Sequence, residues 1–571
     1  MGRKFFRFAP VMIIFLLAAC STLPEQTASV QPAVLHFDGQ RALALEHEFV
    51  TRFTNRSSGQ PNSRLAVAWL KEQFTAFGWS CQVDEWSVIN YSRPVPMQNV
   101  VCQLPGDSPQ QIVVAAHHDQ SPATVEGADN DGSGTAILLH LAEIFGAEKP
   151  PAYTLVFVAT DGEEYGMLGT RRFIQTHPDP RAIIAGISLD NLGNNFYTGL
   201  DMDAVGQFRS YGPLWLQLLA RQTAQSAGGL WIPKIRPVLS QVTGQAVPIS
   251  FTDQGPLVAA GVPALNFGGT VSPDLAGFYW NLYHTPQDVI GNQSASVLKQ
   301  TGRVTEALLR QLLSMKSFPR ESSPYLYFEE SQQVLRGAPL WALFIGFVSL
   351  FFVGSFFTGR QPLKAKLAAW KSVLPHFLGL WLPLIAAIFQ LYLFVAVGIM
   401  DRYELYPATT KDPAILNPRW PAVILFLVGL GVYLSLGRWL VGHLAGHTPL
   451  PEPVAIKSFC LFVTGLGCAY VLATNPFSLL FCLPLLLWFL IRGRKGVGRA
   501  LDILFFLLGG LVVYALFYFF GFLIQHTNFA VLWYMLMMFS TRMIGPLTAL
   551  AITGILSAGL ALIVKPLGKA S

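Results

Sequence analysis

The chain has 571 residues, more than one ordinary domain needs. Hydrophobic residues make up 52% and charged residues 13%, well under the roughly 25% of soluble domains, so part of the chain must lie in lipid. The net charge of +6 is scattered through short loops without a basic face, which excludes nucleic acid as a partner.

Residues 1–20 read as an export signal. Arg3, Lys4 and Arg7 precede an apolar stretch from Phe8 to Leu17. The segment Leu17-Ala18-Ala19-Cys20 is similar to a bacterial lipobox, implying cleavage before Cys20 and a lipid-bearing thiol; the alternative is an uncleaved signal anchor. Residues 21–35 are polar, contain Pro24 and Pro32, and predict a tether.

From residue 36 to 325, short apolar strands alternate with helical stretches, which predicts an α/β domain with a mixed, mainly parallel sheet. Three strand-like runs end in metal-binding residue types. Ile112–Ala116 stops at His117-His118-Asp119, Tyr153–Ala159 at Asp161-Gly162-Glu163-Glu164, and Ile183–Leu189 at Asp190-Asn191. Ligands of open α/β sheets bind beyond the carboxyl ends of strands. A further imidazole comes with Tyr283-His284-Thr285-Pro286. Two histidines and several carboxylates form the nitrogen and oxygen set that suits zinc, and the chain reads as a metallohydrolase. Helices are predicted over Ser133–Ala147 and Ser294–Met315. Cys81 and Cys102 are either a disulfide, as export favours, or two buried thiols.

Beyond Phe328, long apolar runs predict an all-α polytopic membrane domain, residues 326–571, with seven spans. They lie near 337–357, 373–400, 420–441, 456–473, 476–491, 501–524 and 543–564, with Ala530–Phe539 as an interfacial or re-entrant piece. Arg360, Lys364, Lys366 and Lys371 follow the first span. Arg492, Arg494, Lys495 and Arg499 follow the fifth, and Lys565 and Lys569 the seventh. Positive loops face the cytoplasm, so the carboxyl terminus is expected there and the amino-terminal domain outside. Gln390 and Asp502 are the polar exceptions in these spans, and no ion path is signalled.

The pieces Ala116-His117-His118-Asp119, Gly127-Ala128-Asp129-Asn130-Asp131-Gly132-Ser133-Gly134, Asp161–Gly169, Leu189-Asp190, Thr252-Asp253 and Tyr283–Pro286 stand in one order. Together they resemble the co-catalytic zinc aminopeptidases of metallopeptidase family twenty-eight, which includes the fold of the animal glutaminyl cyclases. The resemblance covers roughly residues 60–315. It implies that His117 and Asp190 bind one zinc and Glu164 and His284 another, that Glu163 is the general base, and that Asp119 fixes the His117 ring. At the place of the family's metal-bridging aspartate stands Asn130, whose amide has one good acceptor oxygen and no charge. Asp129 and Asp131 flank it. Three outcomes follow: a two-zinc site with Asn130 as a weaker ligand, a one-zinc site, or a metal-poor site.

The expected protein is a membrane-embedded bacterial zinc exopeptidase, an aminopeptidase, in the inner (cell) membrane, with its domain in the periplasm or outside and peptides as substrate. The alternatives are a non-catalytic peptide-binding or assembly protein, or a one-zinc amide-processing enzyme similar to glutaminyl cyclase. Phe251, Phe267, Phe278, Tyr279 and Trp280 line an apolar substrate pocket or pack in the core.

Overall fold

The computed structural model describes residues 21–22, 33–90, 92–319, 324–359, 361–402, 417–444, 450–491 and 528–564. The export signal, most of the tether, the run 501–524 with Asp502, Arg360, and the clusters Arg492–Arg499 and Lys565–Lys569 lie outside them. The chain divides into two compact units, the first dominated by residues up to Pro339 and the second by Leu340 onward.

The first unit begins with helices α1 (Gly39–Arg52) and α2 (Pro61–Ala76). Asp38 caps α1 by accepting the N–H of Gln40 at 2.8 Å. Strands β1 (Ser80–Asn90), β2 (Arg93–Leu104) and β3 (Ser108–His117) follow, then α3 (Ser133–Gly146), β4 (Tyr153–Thr160), α4 (Leu168–Thr176), β5 (Ile183–Leu189) and β6 (Tyr197–Asp203). After α5 (Leu214–Ala227), α6 (Val238–Ala246) and α7 (Gln254–Ala259) come β7 (Ala264–Val271), α8 (Ala276–Leu282) and α9 (Ala295–Ser314). The strands form one sheet in the order β1-β2-β4-β3-β5-β7-β6. The four central strands β4, β3, β5 and β7 run parallel, while β2 and β6 pair antiparallel with their neighbours.

Alternation along β3 explains how the sheet is held. Ile112, Val114 and Ala116 enter the larger core with Leu138, Leu141 and Leu308 from the helices of one face. Val113 points the other way, into a second core with Val156, Phe173 and Leu257. A parallel sheet covered on both faces needs such unbroken apolar strands. Cys81 on β1 and Cys102 on β2 form a disulfide, so adjacent strands decide in favour of the bridge. Tyr325 is also buried here, its hydroxyl donating to the carbonyl of Gly212 at 2.8 Å.

The second unit is helical. Its described helices are α10 (Ala338–Phe357), α11 (Leu363–Ala396), α12 (Trp420–Leu444), α13 (Pro453–Thr474), α14 (Leu483–Ile491), α15 (Asn528–Ser540) and α16 (Pro546–Ala561). Among the described residues, α10 to α13 are the four helices long and apolar enough to cross a bilayer. The expected span 476–491 is instead a tight turn, Pro476–Cys482, running into the short α14, and α16 has 16 residues. Pro476 at the start of the turn and Pro484 one residue into α14 disfavour a single straight helix. Helix α11 begins ten residues before the expected 373 and takes in Lys364, Lys366 and Lys371. Lys366 folds its ammonium onto the carbonyls of Ser355 (2.8 Å), Thr358 (2.9 Å) and Phe356, satisfying acceptors left open at the end of α10. Gln390 donates to the carbonyl of Leu425 at 3.0 Å, a helix-to-helix bond.

Candidate metal centre

Register brings the motifs to one edge. His117 pairs across from Thr160 on β4, and Ala116 across from Leu189 on β5, so His117, Glu163, Glu164 and Asp190 all emerge beyond the same carboxyl ends. His284 arrives from the turn after α8, with φ of 55°. All five expected metal-binding residues are buried, His117 at 1% and Asn130 at 2% exposure.

Asn130 is the hub. Its Oδ1 lies 2.9 Å from Nε2 of His117, and its Nδ2 lies 2.9 Å from Oε1 of Glu164 and 2.7 Å from Nε2 of His284. Glu164 and His284 are 3.1 Å apart, and the ring of Tyr283 stacks on that of His284 with centroids 3.7 Å apart. On the other side, Asp190 Oδ1 is 3.7 Å and Glu163 Oε2 is 3.8 Å from Nε2 of His117. Glu163 Oε1 is buried with no hydrogen-bond partner.

The neighbours of Asn130 have separate tasks. Asp129 turns away: its carboxylate accepts the N–H groups of Gly193 (3.2 Å) and Asn194 (3.1 Å) and the hydroxyl of Tyr197 at 2.5 Å. Asp131 accepts the N–H groups of His117 (3.3 Å) and Gly134 (2.9 Å). A Cβ at Gly134 would lie 2.4 Å from that carboxylate, so only glycine admits this contact. Among the described residues, His117, Asp131 and Asp190 converge with one ligand atom each within 4.8 Å of one another. Opposite side-chain directions of successive residues place Asp129 and Asn130 in different surroundings.

Asp119 holds the site in a different manner from the one expected. Nδ1 of His117 meets the backbone carbonyl of Asp119 at 3.0 Å, and the carboxylate only at 3.4 Å. That carboxylate accepts the N–H groups of Glu163 (3.2 Å) and Glu164 (3.4 Å), tying the β3 loop to the β4 loop.

Several residues escaped sequence reasoning. Asp288 accepts the N–H groups of Asp129 (2.7 Å) and Asn130 (3.2 Å). Its place four residues after His284 was the available signal. Arg56, fully buried, donates to the carbonyls of His118 (2.8 Å) and Gly127 (2.8 Å) and to Gln120 Oε1 (2.9 Å), clamping the loop before Asn130. Nothing in the sequence around Arg56 marks it. Of the aromatics expected near a pocket, Phe267 is core, and the hydroxyl of Tyr279 lies 2.9 Å from that of Tyr197. Phe251 and Phe278 are exposed, and Trp280 is described only in its backbone.

Electrostatics show what the cluster lacks. Burial opposes charge on His117, but Glu163, Asp119 and Asp190 outweigh it and hold the imidazole well above its ordinary value. Burial pushes Glu163 well above the usual carboxylate range, with Asp190 and Glu164 adding to it and His117 opposing. Burial likewise lifts Asp129 to about 8 and, with it, Asp288 to about 6. Packed carboxylates of this kind are costly unless a cation neutralises them. The donor set, the orphaned Glu163 Oε1 and the imidazole nitrogens aimed at one point fit a divalent metal.

A buried His and carboxylate cluster at the carboxyl edge of a parallel sheet is a setting suited to a metal ion. Residues 99–309, from β2 into α9, match the model of Peptidase family M28. An alkaline phosphatase isozyme conversion protein of Escherichia coli is 28% identical over 207 residues, 32% of this chain and 58% of that protein. A probable zinc metalloprotease of Pyricularia oryzae is 30% identical over 208 residues, 32% of this chain and 40% of its own. Leucine aminopeptidase 1 of Ajellomyces capsulatus is 28% identical over 160 residues, 25% and 42% of the two chains. The matches thus span between two fifths and three fifths of these relatives. The likeness to family M28 lies within the α/β unit, and the relative named for a metal is a zinc metalloprotease.

Proposed function

We propose that the protein is a membrane-bound zinc exopeptidase, an aminopeptidase that removes amino-terminal residues from peptides outside the cytoplasm. The observation that carries this reading is the convergence of His117, Glu164 and His284 on Asn130, with Asp190 Oδ1 3.7 Å from His117 Nε2 and Glu163 Oε1 buried without a hydrogen-bond partner. The names of the fungal zinc metalloprotease and leucine aminopeptidase support the metal and the reaction class.

His117, Asp190, Asn130, Glu164 and His284 are the residues that would hold zinc. Zinc bound there would supply polarisation of the scissile carbonyl and acidify the attacking water. Glu163, with Oε1 buried and without a hydrogen-bond partner, is the residue placed to take a proton from the attacking water and return it to the leaving amine. Asp119 positions the machinery: its carbonyl orients the His117 ring, and its carboxylate fixes the backbone of Glu163 and Glu164. In this reading the four long apolar helices are part of an odd number of crossings, seven by the expected runs, that set the protein in the inner membrane with the α/β unit outside and the carboxyl terminus cytoplasmic.

The test is hydrolysis of aminoacyl amides and short peptides by the full-length protein in detergent. Products one residue shorter at the amino terminus, abolished by a chelator and restored by zinc, are expected. Binding of peptides without turnover in zinc-loaded protein would replace this reading with that of a peptide receptor.

A further inference from the structure

The segment Asp161–Gly169 runs from the end of β4 into α4 and carries Glu163. Its own backbone is soft. Gly162 and Gly166 take positive φ of 74° and 106°, and glycine loses more conformational freedom on ordering than any other residue. Bonds within the segment run from the N–H of Gly166 to the carbonyl of Glu163 (2.8 Å) and from the N–H of Leu168 to the carbonyl of Gly162 (3.0 Å). They shape the loop without fixing it to the sheet.

Two residues from distant parts of the chain close its neck. Asn99, on β2, accepts the N–H of Asp161 on Oδ1 at 3.0 Å and donates from Nδ2 to the carbonyl of Gly169 at 2.8 Å. One amide thus joins the first and last residues of the loop. A Cβ at Gly169 would lie 2.5 Å from Asn99 Oδ1 and 2.6 Å from the carbonyl oxygen of Asp161, so the closure admits glycine alone. Asp253, from the Thr252-Asp253 motif, grips the residues just outside the neck. Its Oδ2 accepts the hydroxyl of Thr160, the last residue of β4, at 2.5 Å, and its Oδ1 accepts that of Thr170, near the start of α4, at 2.6 Å. Asn99, Thr160, Thr170 and Asp253 are all buried, so water cannot replace these bonds when one partner is removed.

We propose that Asp253 and Asn99 are positioning residues for Glu163: by clasping both stems of the Asp161–Gly169 loop, they set where the general base stands. The proposal rests on the exopeptidase reading above and adds to it two residues outside the set that would hold zinc. Their effect passes through the loop backbone and falls on the chemical step once zinc is saturating.

The experiment compares Thr170→Val, Thr170→Ser and Asn99→Asp with the wild type, full length in detergent and at saturating zinc. Valine keeps the shape of threonine without its hydroxyl, and aspartate keeps the acceptor of Asn99 without its donor. Thr170→Val and Asn99→Asp should each lower kcat by about 10-fold or more with KM little changed, a misplacement of about 1 Å being worth up to about 100-fold. Thr170→Ser, which retains the hydroxyl, should recover most of the turnover. Amide exchange over residues 161–169 should quicken in Thr170→Val and Asn99→Asp but not in Thr170→Ser. Tyr325→Phe, which loses a buried hydroxyl bond to Gly212, should lower stability without lowering kcat and so separates positioning from general destabilisation. If Asn99→Asp folds poorly, the Thr170 pair carries the test. Wild-type kcat in Thr170→Val at full zinc occupancy, or a rise in KM alone, overturns this inference and leaves the exopeptidase reading standing. No hydrolysis by the zinc-loaded wild type overturns that reading; amide exchange then decides the clasp, faster exchange in Thr170→Val upholding its hold on Glu163 and unchanged exchange overturning it.

Discussion

The carboxylate of Asp288 carries the backbone of Asn130, accepting its N–H at 3.2 Å and that of Asp129 at 2.7 Å. The hub side chain is thus aimed by a residue that touches none of the candidate ligand atoms. Asp288→Ala strands two buried donors, each costing about 1–3 kcal/mol, so a loss of about 2 kcal/mol or more is expected in denaturant unfolding of the stripped protein. Metal affinity should fall with it.

Asp288 also gives a pH dependence with a definite sign. Burial lifts its carboxyl to about 6 against the pull of the two N–H groups, above the value of about 4 in an unfolded chain. The folded state therefore holds the proton more tightly between about pH 4 and 6. The stability this group contributes is full below about 4 and is lost as pH rises to about 6. Asp288→Asn cannot titrate, and its unfolding free energy should fall less over that interval; an identical fall in both proteins would refute the assignment.

Glu163 and Glu164 are adjacent yet should fail differently. Glu163→Gln is expected to lower peptide turnover by about 100-fold or more, the usual worth of a general base, with metal content unchanged. Glu164→Gln removes a negative charge from the set that would hold zinc, so metal affinity and activity should fall together. Metal analysis beside turnover separates the two; near-normal turnover by metal-loaded Glu163→Gln would remove it from the mechanism.

The Cys81–Cys102 bridge closes a sequence separation of 21 residues at the edge of the sheet. By chain entropy a loop of this size is worth about 3 kcal/mol. Cys81→Ser, or reduction of the native protein, should lower the unfolding free energy by about that amount. Thiol titration after denaturation without reductant should detect Cys20, Cys460, Cys468 and Cys482 at most, and not this pair.

Topology is open to reporter fusions. A cytoplasmic signal is expected at Gln361, after Arg499 and after Lys569, and an exterior signal near Asp412, where the loop charge is mixed. Lys371 is unsuitable as a fusion point because it lies within α11. An exterior signal after Lys569 would mean that the number of crossings is even.

The strands of the site were legible in the sequence because apolar runs bounded by polar residues have one common solution, a buried parallel strand. The observed β5 coincides with the expected run Ile183–Leu189, and β3 and β4 end within one residue of theirs. The helices Ser133–Gly146 and Ala295–Ser314 likewise follow the apolar period. Around 476–491 the helical run divides into a 3-10 stretch, Pro476–Cys482, and the α-helix Leu483–Ile491, a division that hydropathy does not record.

Residue types alone determined that a metal-binding set stands at strand ends, and that a neutral amide occupies its centre. Only the tertiary structure decided which of Asp129, Asn130 and Asp131 faces that centre. Asn130 and Asp131 both face it, and the choice is made by contacts more than sixty residues away in the chain: Tyr197, Gly193 and Asn194 draw Asp129 aside, while Asp288 sets the backbone of Asn130. Long-range hydrogen bonds of this kind leave no local pattern, so chemistry was readable from composition and order, whereas its geometry required the fold.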